Sequence, residues 1–268
     1  MQNSPLVQIV DKLDAVFPKN IKNISSIFRE VKNIKQSDFK KYDQKQLVTA
    51  FNLFIARKFV GDIDIENRIT PPVIGDLAAV VLGRLGFIAD NSSVYSPSIS
   101  FPDFAFQVCS HFESRLFIDS DSSSITENLP ALAALFGQSF KKSSQYDLIL
   151  TRFLGIDFKK ELNSFLKLDL LRQDGVSLLV INDVDLQSST FLDFIKTNDL
   201  FDLLSIIRLP QTLFKHRETA SSLLILRRKG DNKKVKAPVL LAQIPELTKK
   251  KEFSDFLNQL DDWKKDNL

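Results

Sequence analysis

Few side chains in this sequence are of the types that do nucleophilic or metal chemistry. Cys109, His111 and His216 are its only cysteine and histidines. They are too few and too scattered for a nucleophilic triad or a metal centre, each of which needs several such groups at matched spacing. Cys109 lies among Phe106, Val108 and Phe112 and reads as a buried thiol. His111 reads as a helix-surface residue and His216 as a turn residue. Ser122, Ser123 and Ser124 precede a helical stretch, where hydroxyls serve as caps rather than nucleophiles. The 23 phenylalanines, against one tryptophan and three tyrosines, show no repeat that would build a stacking platform, and they read as core.

Charge offers a second kind of chemistry. Between 208 and 236 stand Arg208, Lys215, Arg217, Arg227, Arg228, Lys229, Lys233, Lys234 and Lys236 against only Glu218 and Asp231, on a chain whose formal net charge is +3. Such a cluster suits a phosphate backbone. A solvated loop after the last long strand accounts for it equally well. If DNA is the partner, Lys215, Arg217, Arg227, Arg228 and Lys229 are the candidate contacts.

The elements that must position these groups follow from composition and periodicity. With 268 residues, 44% hydrophobic and 26% charged, the chain is expected to fold as one large domain or as a domain with a smaller appendage, not to remain disordered. One cysteine excludes a disulfide within the chain. The opening residues reach Asp11 and Lys12 before any long apolar run, unlike a signal peptide, and no stretch resembles a membrane span, so a cytoplasmic protein is expected. Apolar residues at helical spacing predict three helices before Val60. They are Leu6, Ile9, Val10, Leu13, Val16 and Phe17, then Ile21, Ile24, Ile27, Phe28 and Val31, then Leu47, Phe51, Leu53, Phe54 and Phe59. These make residues 1–68 a helical N-terminal module, suited to a protein partner or to self-association. A helix start follows within 65–86, with Thr70 as cap, prolines in the first turn and a buried stripe of Ile74, Leu77, Val80 and Val81.

Beyond it, strands are expected at 114–121, 146–153, 174–184, 200–210 and 219–230, with helices at 129–136, 158–171 and 191–200. The alternation predicts an α/β domain over 69–246 with a mostly parallel, doubly wound sheet. The short Gln211–Glu218 connection makes the last two strands an antiparallel pair at one edge. Residues 247–268 return to helical spacing as a C-terminal helix.

Three motifs in this order resemble a known family. Thr70-Pro71-Pro72 before a helix is similar to the Thr-Pro segment that precedes the cofactor loop of adenine-specific DNA methylases. Tyr146-Asp147-Leu148-Ile149-Leu150 resembles the strand that delivers their catalytic tetrapeptide. Ile207-Arg208-Leu209-Pro210-Gln211-Thr212-Leu213-Phe214-Lys215, followed by Ala220 to Leu226, looks like their closing strand pair with its Leu-Pro-x-x-x-Phe turn. The chain thus resembles the adenine-specific DNA methyltransferases of class I, which use S-adenosylmethionine, and most of all their small stand-alone YtxK-like branch. The resemblance implies a Rossmann-like sheet with antiparallel closing strands, S-adenosylmethionine as cofactor and DNA as partner.

The motifs that carry the family's chemistry are degraded. Its cofactor loop reads Asp-Pro-x-x-Gly-x-Gly-x-Phe. The same frame here reads Ser96-Pro97-Ser98-Ile99-Ser100-Phe101-Pro102-Asp103-Phe104, with no glycine between Gly86 and Gly137 to substitute. Ser100 and Pro102 replace the glycines that let backbone approach a ligand, and proline donates no N–H. The acidic ribose ligand at the end of the second strand corresponds to Asp119 or Asp121, both of which also read as strand-end turn residues. Thr70, Ser96, Ser100 and Asp119 are therefore the candidate cofactor positions. The catalytic tetrapeptide corresponds to Thr151, Arg152, Phe153 and Leu154. Arg152 stands where an exocyclic amine must find an acceptor, and arginine has only donors. Phe153 could stack on a base or fill core. No catalytic residue is expected. The expected function is a degenerate, non-catalytic homologue acting as a nucleic-acid or protein interaction module. An active methyltransferase with an atypical cofactor loop and an oligomeric scaffold that binds no DNA are the alternatives.

Overall fold

The structure is a computed structural model that describes residues 4–62, 69–97, 103–112, 117–120, 127–152, 167–214, 220–230 and 238–268. The chain divides into two compact units, Met1–Ala79 with Asp90–Ser143, and Val80–Ala89 with Ser144–Leu268.

The first unit opens with three capped helices, α1 (Pro5–Val16), α2 (Ile24–Val31) and α3 (Gln44–Lys58). Asn23 Oδ1 accepts from the Ser26 N–H at 2.9 Å and Asp43 Oδ1 from the Gln46 N–H at 3.0 Å, which satisfies first-turn donors that have no partner within the helix. Ile9, Leu13, Ile27, Phe28, Phe51 and Phe54 are buried as the periodicity predicts, but Leu53 is 46% exposed. The first half of α4 (Pro72–Leu85) also belongs here, as do β1 (Ser93–Ser96), α5 (Asp103–Cys109), β2 (Phe117–Ser120), α6 (Leu129–Leu135) and the two-residue β3 (Ser139–Phe140). β1 pairs with β2 and β2 with β3, both parallel. One aromatic core joins the N-terminal helices to these elements. The Phe51 ring of α3 meets Phe136 edge-on at 5.3 Å, and Phe136 meets Phe106 of α5 at 5.0 Å.

The second unit holds β4 (Tyr146–Arg152), β5 (Leu171–Asn182), α7 (Asp183–Leu186), α8 (Ser189–Thr197), β6 (Phe201–Arg208), β7 (Ser221–Arg228), β8 (Leu240–Gln243) and α9 (Lys250–Asn267). Its strands run in the order β4-β5-β7-β6-β8. β4 is parallel to β5, β7 antiparallel to both β5 and β6, and β8 parallel to β6. Leu178–Ile181 and Leu223–Leu226 are continuous buried runs, as strands covered on both faces require. The structure is thus a mixed, Rossmann-like α/β fold with an antiparallel closing pair.

Several expectations need correction. The closing pair is not at the edge, because β8, a short run between Pro238 and Pro245, adds a further parallel strand. Residues 153–166 lie outside the described residues, but 168–170 form a 3-10 turn and Leu171 begins β5, so no helix reaches 171. β5 starts three residues early, with a register irregularity opposite Tyr146 and Leu148 that takes up Asp174 at φ 60°. α8 stops at Thr197, where Asn198 turns the chain and accepts the Leu200 N–H on its side chain. Among the described residues no helix is long and apolar enough to cross a membrane.

Candidate functional site

The first unit brings two of the motif segments together. Thr70, fully buried, precedes α4 by two residues, and its backbone N–H donates to Asp103 Oδ2 at 2.5 Å. Asp103 is the first residue of α5 and is 3% exposed. One helical turn on, Gln107 Nε2 donates to the Thr70 carbonyl at 2.8 Å. The joint therefore takes up both backbone groups of Thr70. Gly75 makes the approach feasible, since a Cβ there would lie 2.6 Å from Gln107 Oε1 and 2.7 Å from Gln107 Cβ. Gln107 Oε1 itself is buried with no hydrogen-bond partner among the described residues. Ser96 ends β1, buried, opposite Ser120. Asp119 is the third residue of β2, in register with Tyr95. Ser100, Pro102 and Asp121 lie outside the described residues.

Next to this joint, Asp76 of α4 accepts from His111 Nε2 at 2.7 Å and from Lys45 Nζ at 3.2 Å, both on Oδ1. Burial opposes ionisation of Asp76, but the bonds from His111 and Lys45 outweigh it and hold the carboxyl below its ordinary range. His111 lies in the turn after α5 and not on a helix surface, so that expectation is corrected. Cys109 is buried, as expected, and desolvation pushes its thiol pKa far up. No group of three potential metal ligands occurs among the described residues. A cavity of about 410 Å³ between the start of α3 and the end of α6, lined by Phe39, Tyr42, Gln44, Leu135 and Gln138, contains none of the candidate residues.

In the second unit β4 ends on Thr151 and Arg152, opposite Leu179 and Val180 of β5. Thr151 is 2% exposed, and its Oγ1 has no partner among the described residues. Arg152 is half-buried; Phe153 and Leu154 lie outside the described residues. At this same end of the sheet Asp183 Oδ1 accepts from Ser222 Oγ at 2.9 Å and Oδ2 pairs with Arg208 at 3.0 Å.

The described basic residues of 208–236, Arg208, Arg227, Arg228 and Lys229, do not come to one place. Ser221, at the start of β7, is opposite Asn182, whereas Arg227 is opposite Val176, towards the other end of β5. Eight extended residues separate their ends by about 23 Å. Arg208, at the end of β6, is on the Arg152 side. Arg227, Arg228 and Lys229 are on the far side, the last two engaged with the fold. Arg228 donates to the carbonyls of Asp169, at 3.1 Å, and Leu171. Lys229 donates to the Asp199 carbonyl at 2.8 Å and lies 3.8 Å from Asp202. Arg227 is half-buried, with Nε unpartnered among the described residues. Lys215, Arg217 and His216 lie outside the described residues.

Sequence reasoning missed Asp103 and Gln107. Asp103 occupies a position the loop pattern leaves variable, and its partner stands 33 residues earlier. The Asp76 network was missed for the same reason, as its members come from three separate elements.

No family model and no curated protein matches the sequence. Solved structures do. A Listeria monocytogenes protein assigned to the class I S-adenosylmethionine-dependent methyltransferases is 16% identical, with TM-score 0.72 over 96% of this chain and 97% of that one. The modification subunit assigned to a type I restriction enzyme of Vibrio vulnificus is 19% identical, with TM-score 0.54 over 85% of this chain and 59% of that one. The methyltransferase subunit of a type I restriction-modification system from Streptococcus thermophilus is 14% identical, with TM-score 0.52 over 89% and 61%. This chain thus spans less than two thirds of either subunit. Strand orders of β3-β2-β1 in one unit and β4-β5-β7-β6 in the other, together with these likenesses, establish that the chain has the fold of the class I S-adenosylmethionine-dependent methyltransferases.

Proposed function

We propose that this chain is a catalytically degenerate homologue of the adenine-specific DNA methyltransferases that acts as an interaction module, with nucleic acid the partner its charge favours. The carrying observation is Arg152. It closes β4, the strand that resembles the family's catalytic one, and places a donor-only cation where an amine must donate. Its charge also opposes the positive sulfonium of S-adenosylmethionine, an effect amplified wherever water is excluded. The donor set at Thr70 supports the same reading. A methionine-type cofactor brings a carboxylate that needs N–H donors, and the Thr70 amide already holds a buried carboxylate of the chain. These residues do not fit the cofactor, and no methyl-transfer step is derived from them.

The partner reading rests on the charge of 208–236. Since Arg208, Arg228 and Lys229 are engaged with the fold, it falls most heavily on Lys215 and Arg217 in the β6–β7 connection. The test is transfer of labelled methyl groups from S-adenosylmethionine to mixed duplex DNA, run beside direct DNA titration. No transfer, with sequence-independent binding that falls steeply as salt rises, is expected. Turnover by the wild type that Arg152→Ala abolishes would overturn the non-catalytic reading. Absence of DNA binding at low salt would leave a protein partner or self-association through the N-terminal helices.

A further inference from the structure

The joint at Thr70 has the composition of a ligand site that is already filled. The Thr70 backbone N–H lies ahead of α4, which begins at Pro72, and so has no acceptor within that helix. Its partner is a carboxylate, not a carbonyl, and that carboxylate comes from the residue directly after the degraded loop. Asp103 is 3% and Gln107 4% exposed, so the bond is made away from water, where an unmatched donor or acceptor is costly. Gln107 fixes the other face of Thr70 and keeps one oxygen, Oε1, buried without a donor among the described residues. A bare packing contact would not gather an ionisable oxygen, a main-chain N–H and an orphaned amide oxygen in one buried spot.

We propose that Asp103 is a built-in carboxylate ligand. Its side chain occupies the anion-accepting amide at Thr70 from within the chain, so that this part of the first unit is held shut and takes up no free carboxylate. The proposal rests on the reading that the unit no longer serves a cofactor, and adds the residue that closes it. The site so defined has a chemical class, small carboxylates, that becomes visible once the internal occupant is removed. Asp103→Ala leaves the Thr70 N–H and the space of a carboxylate group empty. Formate, which has that group and little else, is the matching probe. Binding to the folded state alone raises the melting temperature in a saturable way.

The experiment compares thermal unfolding of wild type, Asp103→Ala and Asp103→Asn in sodium formate and in sodium chloride of equal ionic strength. Asp103→Ala should melt roughly 5 °C below wild type in chloride. Formate should recover part of that difference saturably, while shifting neither wild type nor Asp103→Asn, whose sites remain filled. Equal behaviour of all three proteins in the two salts overturns the proposal, as does an Asp103→Ala protein as stable as wild type. If Asp103→Ala does not fold in chloride, its refolding in formate supports the proposal, and failure in both salts while Asp103→Asn folds overturns it. Loss of carboxylate-specific rescue would leave the Arg152 argument standing. Methyl transfer by the wild type would remove the non-catalytic reading without altering the rescue result.

Discussion

The start of α5 and the end of β4 are the places where the resemblance puts cofactor and catalysis, and they depart from the family in opposite ways. At α5 the chain adds an acceptor, and Asp103 meets a donor the fold already presents. At β4 it adds a donor, Arg152, where an acceptor was required, and leaves Thr151 Oγ1 buried and unpartnered among the described residues. One region has turned its polar groups inward and become part of the scaffold. The other holds a buried hydroxyl with no hydrogen-bond partner among the described residues. On the proposed reading, a degraded site is absorbed into folding in one place and not in the other, and a loss of motif does not say which.

Substitutions that separate the two regions test that contrast. The largest effect is expected at Gly75. Gly75→Ala places a methyl against Gln107 Oε1 and Cβ, forces the Thr70 joint apart and costs about 1–3 kcal/mol in chemical denaturation. Gly230→Ala in the second unit is the control. The atoms nearest its Cβ would be the end of the Asp174 carboxylate, at 3.0 Å, and a change within about 0.5 kcal/mol is expected. Equal costs would dissolve the distinction between a rigid joint and a yielding one.

Next in size is Arg228→Ala, which deletes donors to the Asp169 and Leu171 carbonyls and costs about 1 kcal/mol of stability. Its effect on DNA affinity should be the smaller of its two effects. The converse holds for charge reversal at Lys215 and Arg217. That variant should keep wild-type stability, lose several-fold in affinity and lower the salt slope by about 1.8 if two phosphate contacts vanish. Affinity that drops with Arg228→Ala and not with the pair would move the interface to the far end of β7.

The smallest effect concerns pH. The Asp76 carboxyl ionises below its ordinary value of 3.8, so it contributes stability above that value, and the contribution is lost as pH falls through the lower folded value. At a half-exposed site this amounts to less than about 1 kcal/mol. Asp76→Asn should lower stability by that amount near neutrality and flatten the fall on acidification, so that the two proteins converge at the acid end, as read from urea midpoints across pH.

Much of the second unit's fold was legible, because Leu148–Leu150, Leu178–Ile181 and Leu223–Leu226 are apolar runs of strand length between turn residues. The N-terminal helices were legible in the spacing of Ile9 and Leu13, Ile27 and Phe28, and Phe51 and Phe54, but their capping residues, Asn23 and Asp43, were not singled out. β8 was not, since an edge strand four residues long with Leu240 buried and Leu241 68% exposed carries too little pattern. The site was harder. Arg152 could be placed because strands order their neighbours, but the Thr70–Asp103 bond joins residues that no periodicity relates. In the basic cluster, a sum of charge along the chain hides that the strand predicted within it carries Arg227 and Arg228 to the end of the sheet away from Arg208.

Cys109 gives the first unit an internal clock. Its sulfur is fully buried at the end of α5, with desolvation suppressing the thiolate that alkylating reagents need. Modification must therefore wait until this region opens. With one thiol in the chain, the labelling rate follows a single site with no competing background. When opening and closing are fast relative to labelling, that rate measures the population of the opened state, and when closing is slow it measures the opening rate itself. The chain thus carries its own gauge of how often the region around α5 comes apart under native conditions.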